Sequence, residues 1–220
     1  MSERLHLSLL TLDPLAGRAA RDCLADIQQM HRLVMRGFPD TDARDARRKF
    51  NVLFRVDAVD RLTQILVQST TEPDWAELET GLLTAPARVR DASPLHGLPV
   101  GASLRFLLVA NPTRAIRPDG RESRHAMRVP MRADEGPNGR IDWLTRKAEQ
   151  SGFRLDRDSL LITGIPLRRG ARGKSRVVIE QCRFDGLLEV TEPDRFRAAI
   201  TQGIGRARAY GCGLLSVRRP

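Results

Sequence analysis

Asn51-Val52-Leu53-Phe54-Arg55-Val56 and Leu62-Thr63-Gln64-Ile65-Leu66-Val67 flank a short turn around Asp57 to Arg61, and the two apolar runs read together as a β-hairpin. What stands on either side of that hairpin decides the fold. Upstream, Leu5-His6-Leu7-Ser8-Leu9-Leu10 alternates apolar with small or polar residues, as a half-buried strand does, and Asp13-Pro14 stops it. From about Ala16 to Arg36 the apolar residues Ala20, Leu24, Ile27 and Val34 recur at helical spacings, so one amphipathic helix is expected there, ended by Gly37-Phe38-Pro39. Downstream, Trp75 to Leu83 reads as a short second helix and Leu104-Arg105-Phe106-Leu107-Leu108-Val109 as a buried strand. The order β-α-β-β-α-β is that of the ferredoxin-like unit, an antiparallel sheet with two helices on one face.

The order recurs in a shorter form. A helix is expected from about Ile141 to Gln150, a strand from Leu160 to Leu167, a second strand from Val177 to Val190, a helix from Asp194 to Thr201 and a last strand over Leu214 to Val217. The expected architecture is therefore α+β, two tandem ferredoxin-like (βαββαβ) domains. The N-terminal one is assigned to residues 1–112 and the C-terminal one to 140–220, with a linker rich in Arg, Pro and Gly over 113–139.

The chain has 220 residues and a formal net charge of +10, and only Lys49, Lys147 and Lys174 among its 37 basic residues are lysines. Arginine holds phosphate bidentately and stacks on bases, which lysine does not. A GC-rich coding bias explains the Arg-for-Lys exchange equally well, but it does not explain the charge, which favours a nucleic-acid partner. Cys23, Cys182 and Cys212 are widely separated, with no CxxC pair and no His at ligand spacing, which argues against a disulfide framework or a zinc site. No run of about 18 or more apolar residues exists, so a membrane partner is not expected and the expected location is the cytoplasm.

Two segments are built to meet phosphate. Arg168-Arg169-Gly170-Ala171-Arg172-Gly173-Lys174-Ser175-Arg176 carries five positive charges in nine residues and reads as the tip of a hairpin, either a solvated turn or a basic finger that tracks an RNA helix. Gly173-Lys174-Ser175 resembles the end of a P-loop, but Arg168 stands where that motif needs glycine and a strand follows instead of a helix. Near the C-terminus, Gln202-Gly203-Ile204-Gly205-Arg206-Ala207-Arg208-Ala209-Tyr210-Gly211-Cys212-Gly213-Leu214-Leu215 brackets two arginines with four glycines and runs into the last strand.

These motifs resemble those of the CasE family of the RAMP superfamily, the CRISPR RNA-processing endoribonucleases of type I-E systems. The glycine-rich ending is the most specific point of likeness. His31 with Phe38-Pro39, Ala110-Asn111-Pro112, Arg128-Val129-Pro130 followed by Trp143-Leu144, and Phe184-Asp185-Gly186-Leu187-Leu188 match in order, so the resemblance covers essentially the whole chain. It implies a metal-independent nuclease, without cofactor, that binds the hairpin of a CRISPR repeat and cuts at the 3′ base of its stem. The ribose 2′-hydroxyl attacks the adjacent phosphorus, leaving a 2′,3′-cyclic phosphate and a free 5′-hydroxyl. The implied partners are precursor and mature CRISPR RNA and the other subunits of the type I-E surveillance complex, Cascade.

The resemblance makes His31 the catalytic histidine; by itself its place at the edge of the apolar helix stripe fits packing equally well. Histidine suits proton transfer because its ordinary pKa of about 6.5 lies near working pH. Arg32 follows it, placed for the RNA backbone or simply solvated. Family members commonly carry a tyrosine one helical turn before the histidine, where this chain has Gln28, and an amide cannot supply a proton as a phenol can. Tyr210, the chain's single tyrosine, is either a group that approaches the site or part of the loop's packing. Lys174 or Arg176 is the expected charge for the transition state, with Lys174 the catalytic choice. Arg168, Arg169 and Arg172 are expected on groove or phosphate, Arg124 and Arg128 along the same track, and Gly203, Gly205, Arg206, Arg208, Gly211 and Gly213 at the RNA. Two other classes fit the residues: an inactive RNA-binding subunit of the same complex, and a general RNA-binding ribosomal or nucleoid protein.

Overall fold

The computed structural model describes residues 4–41, 46–79, 81–116, 127–134, 136, 139–173 and 175–220. The first unit contains β1 (His6–Leu12), α1 (Gly17–Ala25), α2 (Ile27–Met35), the single turn α3 (Ala46–Lys49), β2 (Leu53–Val59), β3 (Leu62–Ser69), the single turn α4 (Ala76–Glu79) and β4 (Arg88–Asp91). Its sheet has the order β2-β3-β1-β4, all antiparallel, which is the ferredoxin-like arrangement. The hairpin that decides the fold closes on Asp60 and Arg61, both with positive φ (49° and 66°), the conformation of a two-residue turn matched to strand twist. Leu10, Phe54, Ile65 and Val67 of this sheet bury against Met30, Leu33 and Val34 of α2 and against Trp75 and Leu78.

The second unit contains β5 (Ser103–Ala110), a two-stranded arm of β6 (Thr113–Ile116) and β7 (Met127–Pro130), α5 (Arg140–Gln150), β8 (Phe153–Gly164), a separate hairpin of β9 (Arg168–Arg172) and β10 (Ser175–Ile179), β11 (Cys182–Val190), α6 (Pro193–Gln202) and β12 (Leu215–Arg218). Its main sheet has the order β12-β5-β11-β8, again antiparallel and again ferredoxin-like. Phe106, Leu108, Phe153, Phe184, Phe196 and Leu144 form its core, with Trp143 stacked on Phe184 at 6.1 Å between ring centroids.

Several expectations need correcting. The strand over 104–109 does not complete the first sheet; it lies at the centre of the second, between β11 and β12. The fourth strand of the first sheet is β4, exposed along its whole length and paired only with β1, so Arg88-Val89-Arg90-Asp91 carries no apolar alternation to read. The boundary expected at 112 thus falls inside the second unit, and part of the expected linker is the β6–β7 arm. The single helix expected over 16–36 is two helices, broken at Asp26, whose extended backbone (φ −124°, ψ 117°) starts α2. The expected strand over 177–190 divides into β10 and β11, and the basic segment forms its own ladder instead of the tip of a central hairpin.

Buried polar side chains of the first unit, Gln68 and Arg55, reach across to the second. Gln68 Nε2 on β3 donates to the Ile200 carbonyl of α6 at 2.6 Å, and Arg55 Nη1 on β2 donates to Ser216 Oγ of β12 at 2.6 Å while its Nε bonds Asp57. Each satisfies a side chain that burial would otherwise penalise. They hold the loop before β12 against the first unit.

Candidate nucleic-acid interface and reaction centre

Three elements meet at one end of α2. The helix begins at Asp26, whose Oδ1 accepts from the backbone N–H groups of Gln28 (2.6 Å) and Gln29 (3.3 Å), an N-cap that satisfies two donors with no partner inside the helix. The other carboxylate oxygen accepts from the backbone N–H of Ala171 at 3.2 Å, tying the basic β9–β10 hairpin to the same cap. Gly170 makes that approach possible: a Cβ there would stand 2.6 Å from Asp26 Oδ1 and 2.8 Å from Ile27 Cγ1. Ile27, Ile179 and Cys212, with Val177 and Tyr210 against them, form a small apolar cluster that joins helix, hairpin and glycine-rich loop.

The loop is folded by its glycines. Gly203 and Gly213 face one another across the Ile204 N–H to Gly213 carbonyl bond (2.9 Å), and a Cβ on either would come within 2.8 Å of a backbone carbonyl oxygen. Ala207 and Gly211, both left-handed, bracket a 3-10 turn over Arg208–Tyr210 that turns the loop back toward α2. Gln181 Nε2 secures the turn by donating to the Tyr210 carbonyl at 2.9 Å.

Between loop, α2 and α3 lies an open cleft of about 770 Å³. Gln28 and His31 line one wall, Gly205, Arg206, Arg208 and Tyr210 another, and Arg47 and Arg48 of α3 a third, with Asp40 and Thr41 beside them. Tyr210 donates its phenolic O–H to Gln28 Oε1 at 3.2 Å, and its ring meets the His31 imidazole edge-on, with centroids 6.4 Å apart. Arg208 donates through Nε to the Gly205 carbonyl at 3.1 Å. Burial, then the nearby charges of Arg47 and Arg48, hold its guanidinium below the ordinary arginine range. Like charges gathered around a cavity repel one another, and a bound phosphodiester relieves that repulsion.

The expected site residues divide accordingly. His31, Gln28, Gly205, Arg206 and Arg208 share the cleft. Arg168 is half-buried beside it, lining a smaller cavity with Ile27, Gln181 and Tyr210. Arg169 and Arg176 are exposed on the pinned hairpin, and Arg128 is exposed on β7. Arg172 lies on β9, in register with Ser175. Lys174 and Arg124 lie outside the described residues. Arg32 is not brought to the cleft; it is exposed on another face of α2, lining a groove with Asp22, Gln29 and Arg36, because consecutive helical residues point about 100° apart. Gly203, Gly211 and Gly213 are buried, and what approaches them is the protein itself, through Leu53, Phe54 and Ile204. The sequence reading missed Arg47 and Arg48; the signal was the unbroken run Arg47-Arg48-Lys49 soon after Pro39.

Known proteins resemble this chain along nearly its whole length. A family model described as CRISPR associated protein matches residues 5–219. The chain is 34% identical over 224 residues to the CRISPR-associated endoribonuclease Cse3 of Thermus thermophilus, covering 96% of this chain and 98% of that protein. It is 30% identical over 205 residues to the CRISPR system Cascade subunit CasE of Escherichia coli, covering 90% and 94% respectively. The structure of Thermus thermophilus Cse3 bound to an RNA representing a pre-cleavage complex superposes with a TM-score of 0.75 at 30% identity, over 98% of this chain and 99% of that one. With the family model matched over nearly its full length, the chain belongs to the CRISPR-associated protein family that includes Cse3 and CasE.

Proposed function

We propose that this chain is an endoribonuclease that binds the hairpin of a CRISPR repeat in precursor RNA and cuts once at the 3′ base of the stem, without a metal ion. It then stays with the product as a cytoplasmic Cascade subunit. One observation carries the reading: His31 of the first unit and Arg206 and Arg208 of the second line a single cleft, together with Arg47 and Arg48. In the proposed reaction the 2′-oxygen forms a bond to the adjacent phosphorus as the bond from phosphorus to the 5′-oxygen breaks. His31 removes the 2′-hydroxyl proton and, as imidazolium, returns one to the departing 5′-oxygen. The arginines offset the negative charge that gathers on the phosphorane, with Lys174 and Arg176 proposed as further positive charge for it. Arg168, Arg169 and Arg172 hold the stem by its backbone, as suits A-form RNA, whose base edges are hidden in a deep groove.

The test is cleavage of the organism's own repeat RNA in EDTA. The expected result is a single cut ending in a 2′,3′-cyclic phosphate, with His31→Ala slower by about 10²–10⁴-fold and binding of uncut RNA nearly unchanged. Normal cutting by His31→Ala, or arrest by EDTA, would refute the mechanism. Tight binding of RNA that the wild-type protein never cuts would identify an inactive subunit.

A further inference from the structure

Tyr210 is the chain's single tyrosine, and everything around it fixes where its hydroxyl sits. The left-handed residues Ala207 and Gly211 set the direction of its turn, and Gln181 holds its carbonyl at 2.9 Å. Its ring packs against Ile27, Ile179 and Cys212. The hydroxyl emerges into the arginine-lined cleft, where Gln28 Oε1 accepts from it at 3.2 Å. Gln28 and His31 are three residues apart on α2 and therefore neighbours on one face. Phenol and imidazole thus come from different units, 179 positions apart in sequence (210 less 31), and face the same space.

We infer that Tyr210 is the second group of the reaction centre: its phenol donates a hydrogen bond to a non-bridging oxygen of the scissile phosphate as the phosphorane forms. The inference rests on the ribonuclease reading of this cleft. A phenol can both donate and accept a hydrogen bond; here it acts as the donor, and no proton leaves it in the reaction. Gln28 makes the donor available. A primary amide both accepts and donates, so when RNA arrives Gln28 turns its Nε2–H toward the phenolic oxygen and the phenolic proton points at phosphate. The proton balance stays with His31, and Tyr210 supplies only stabilisation of developing negative charge. Phenylalanine would fill the apolar part of the site equally well, so packing alone does not call for the hydroxyl.

Tyr210→Phe removes the hydroxyl and keeps the ring. Under single-turnover conditions it is expected to cut repeat RNA about 10²–10³-fold more slowly, while its affinity for repeat RNA carrying a 2′-deoxyribose at the cut site changes less than about twofold. The double variant with Gln28→Ala is expected to be no slower than Tyr210→Phe alone, since the pair acts as a unit. Because the tyrosine is single, fluorotyrosine labels this position only; its fluorine resonance is expected to shift when the uncleavable RNA binds. Wild-type cutting by Tyr210→Phe, an affinity loss as large as the rate loss, or an unmoved resonance would each overturn the inference. His31→Ala run in parallel separates the two readings. If His31→Ala is inactive and Tyr210→Phe is not, only the role of Tyr210 falls; if His31→Ala cuts normally, the ribonuclease reading falls with it.

Discussion

Asp26→Ala is the sharpest perturbation of the site's framework, because one carboxylate serves two elements. Oδ1 caps α2 through Gln28 and Gln29, and Oδ2 holds the hairpin through Ala171. Losing an aspartate N-cap costs about 1 kcal/mol. The bond to Ala171 is solvent-accessible and belongs at the low end of the hydrogen-bond range, about 0.5 kcal/mol. The sum, about 1.5 kcal/mol, corresponds to a fall in melting temperature of about 3–6 °C for a chain of this size. Asp26→Asn keeps an acceptor for the cap but turns an amide NH2 toward the Ala171 N–H, so it is expected to lose only the smaller part, about 0.5 kcal/mol. Thermal unfolding followed by circular dichroism measures both variants, and hydrogen exchange at the Ala171 amide reports the hairpin directly. If both variants melt with the wild type and the Ala171 amide exchanges no faster, the cap does not hold the hairpin and the reasoning fails.

Two further outcomes follow from local geometry. Gly203→Ala puts a side chain at φ 78°, ψ 165°, with its Cβ 2.8 Å from both Leu53 and the Gly213 carbonyl, and should cost about 3 kcal/mol or more. Gly173→Ala, at φ 59° in open space, should cost only about 1–2 kcal/mol; equal losses in urea unfolding would contradict this account. Burial pushes the Cys182 thiol up to about 11 and the Cys212 thiol up to about 12, while Cys23, also raised, is half-exposed. Iodoacetamide near neutral pH should therefore label Cys23 alone. Because the buried thiols titrate higher folded than unfolded, their contribution to stability is complete below about pH 9 and is lost as pH rises through 11 to 12; a melting temperature that is flat from pH 8 to 11 would refute it.

Much of the fold was legible because its central elements are patterned. The β2–β3 hairpin and the α2 stripe of Ile27, Met30, Leu33 and Val34 bury the residues their periodicity marks. What escaped was either short or distant. β4 pairs along one edge and buries nothing, so the next apolar run, β5, took its place in the reading. The break at Asp26 does have a local signature, a capping residue followed three positions later by Gln29, but the helical stripe runs through it. At the site, the resemblance singled out His31 and the glycine loop, while the meeting of Tyr210 with Gln28 depends on how two domains dock. No spacing within either segment encodes that docking. Arg32 shows the converse: adjacency in sequence on a helix means divergence in space, so it follows His31 yet lies on another face of α2.

The place of β5 also says where this protein can be divided. A fragment ending at Pro112 would take with it the strand that β11 and β12 both pair with, leaving the remaining piece to close its sheet around a gap. The natural seam is earlier, in the connection between β4 and β5 that carries the 3-10 turn Ser93–Gly97. A pair of polypeptides parted there would each retain a whole sheet, and the cleft would then exist only when the two halves reassociate. Cleavage of RNA by the mixture would become a direct readout of domain docking.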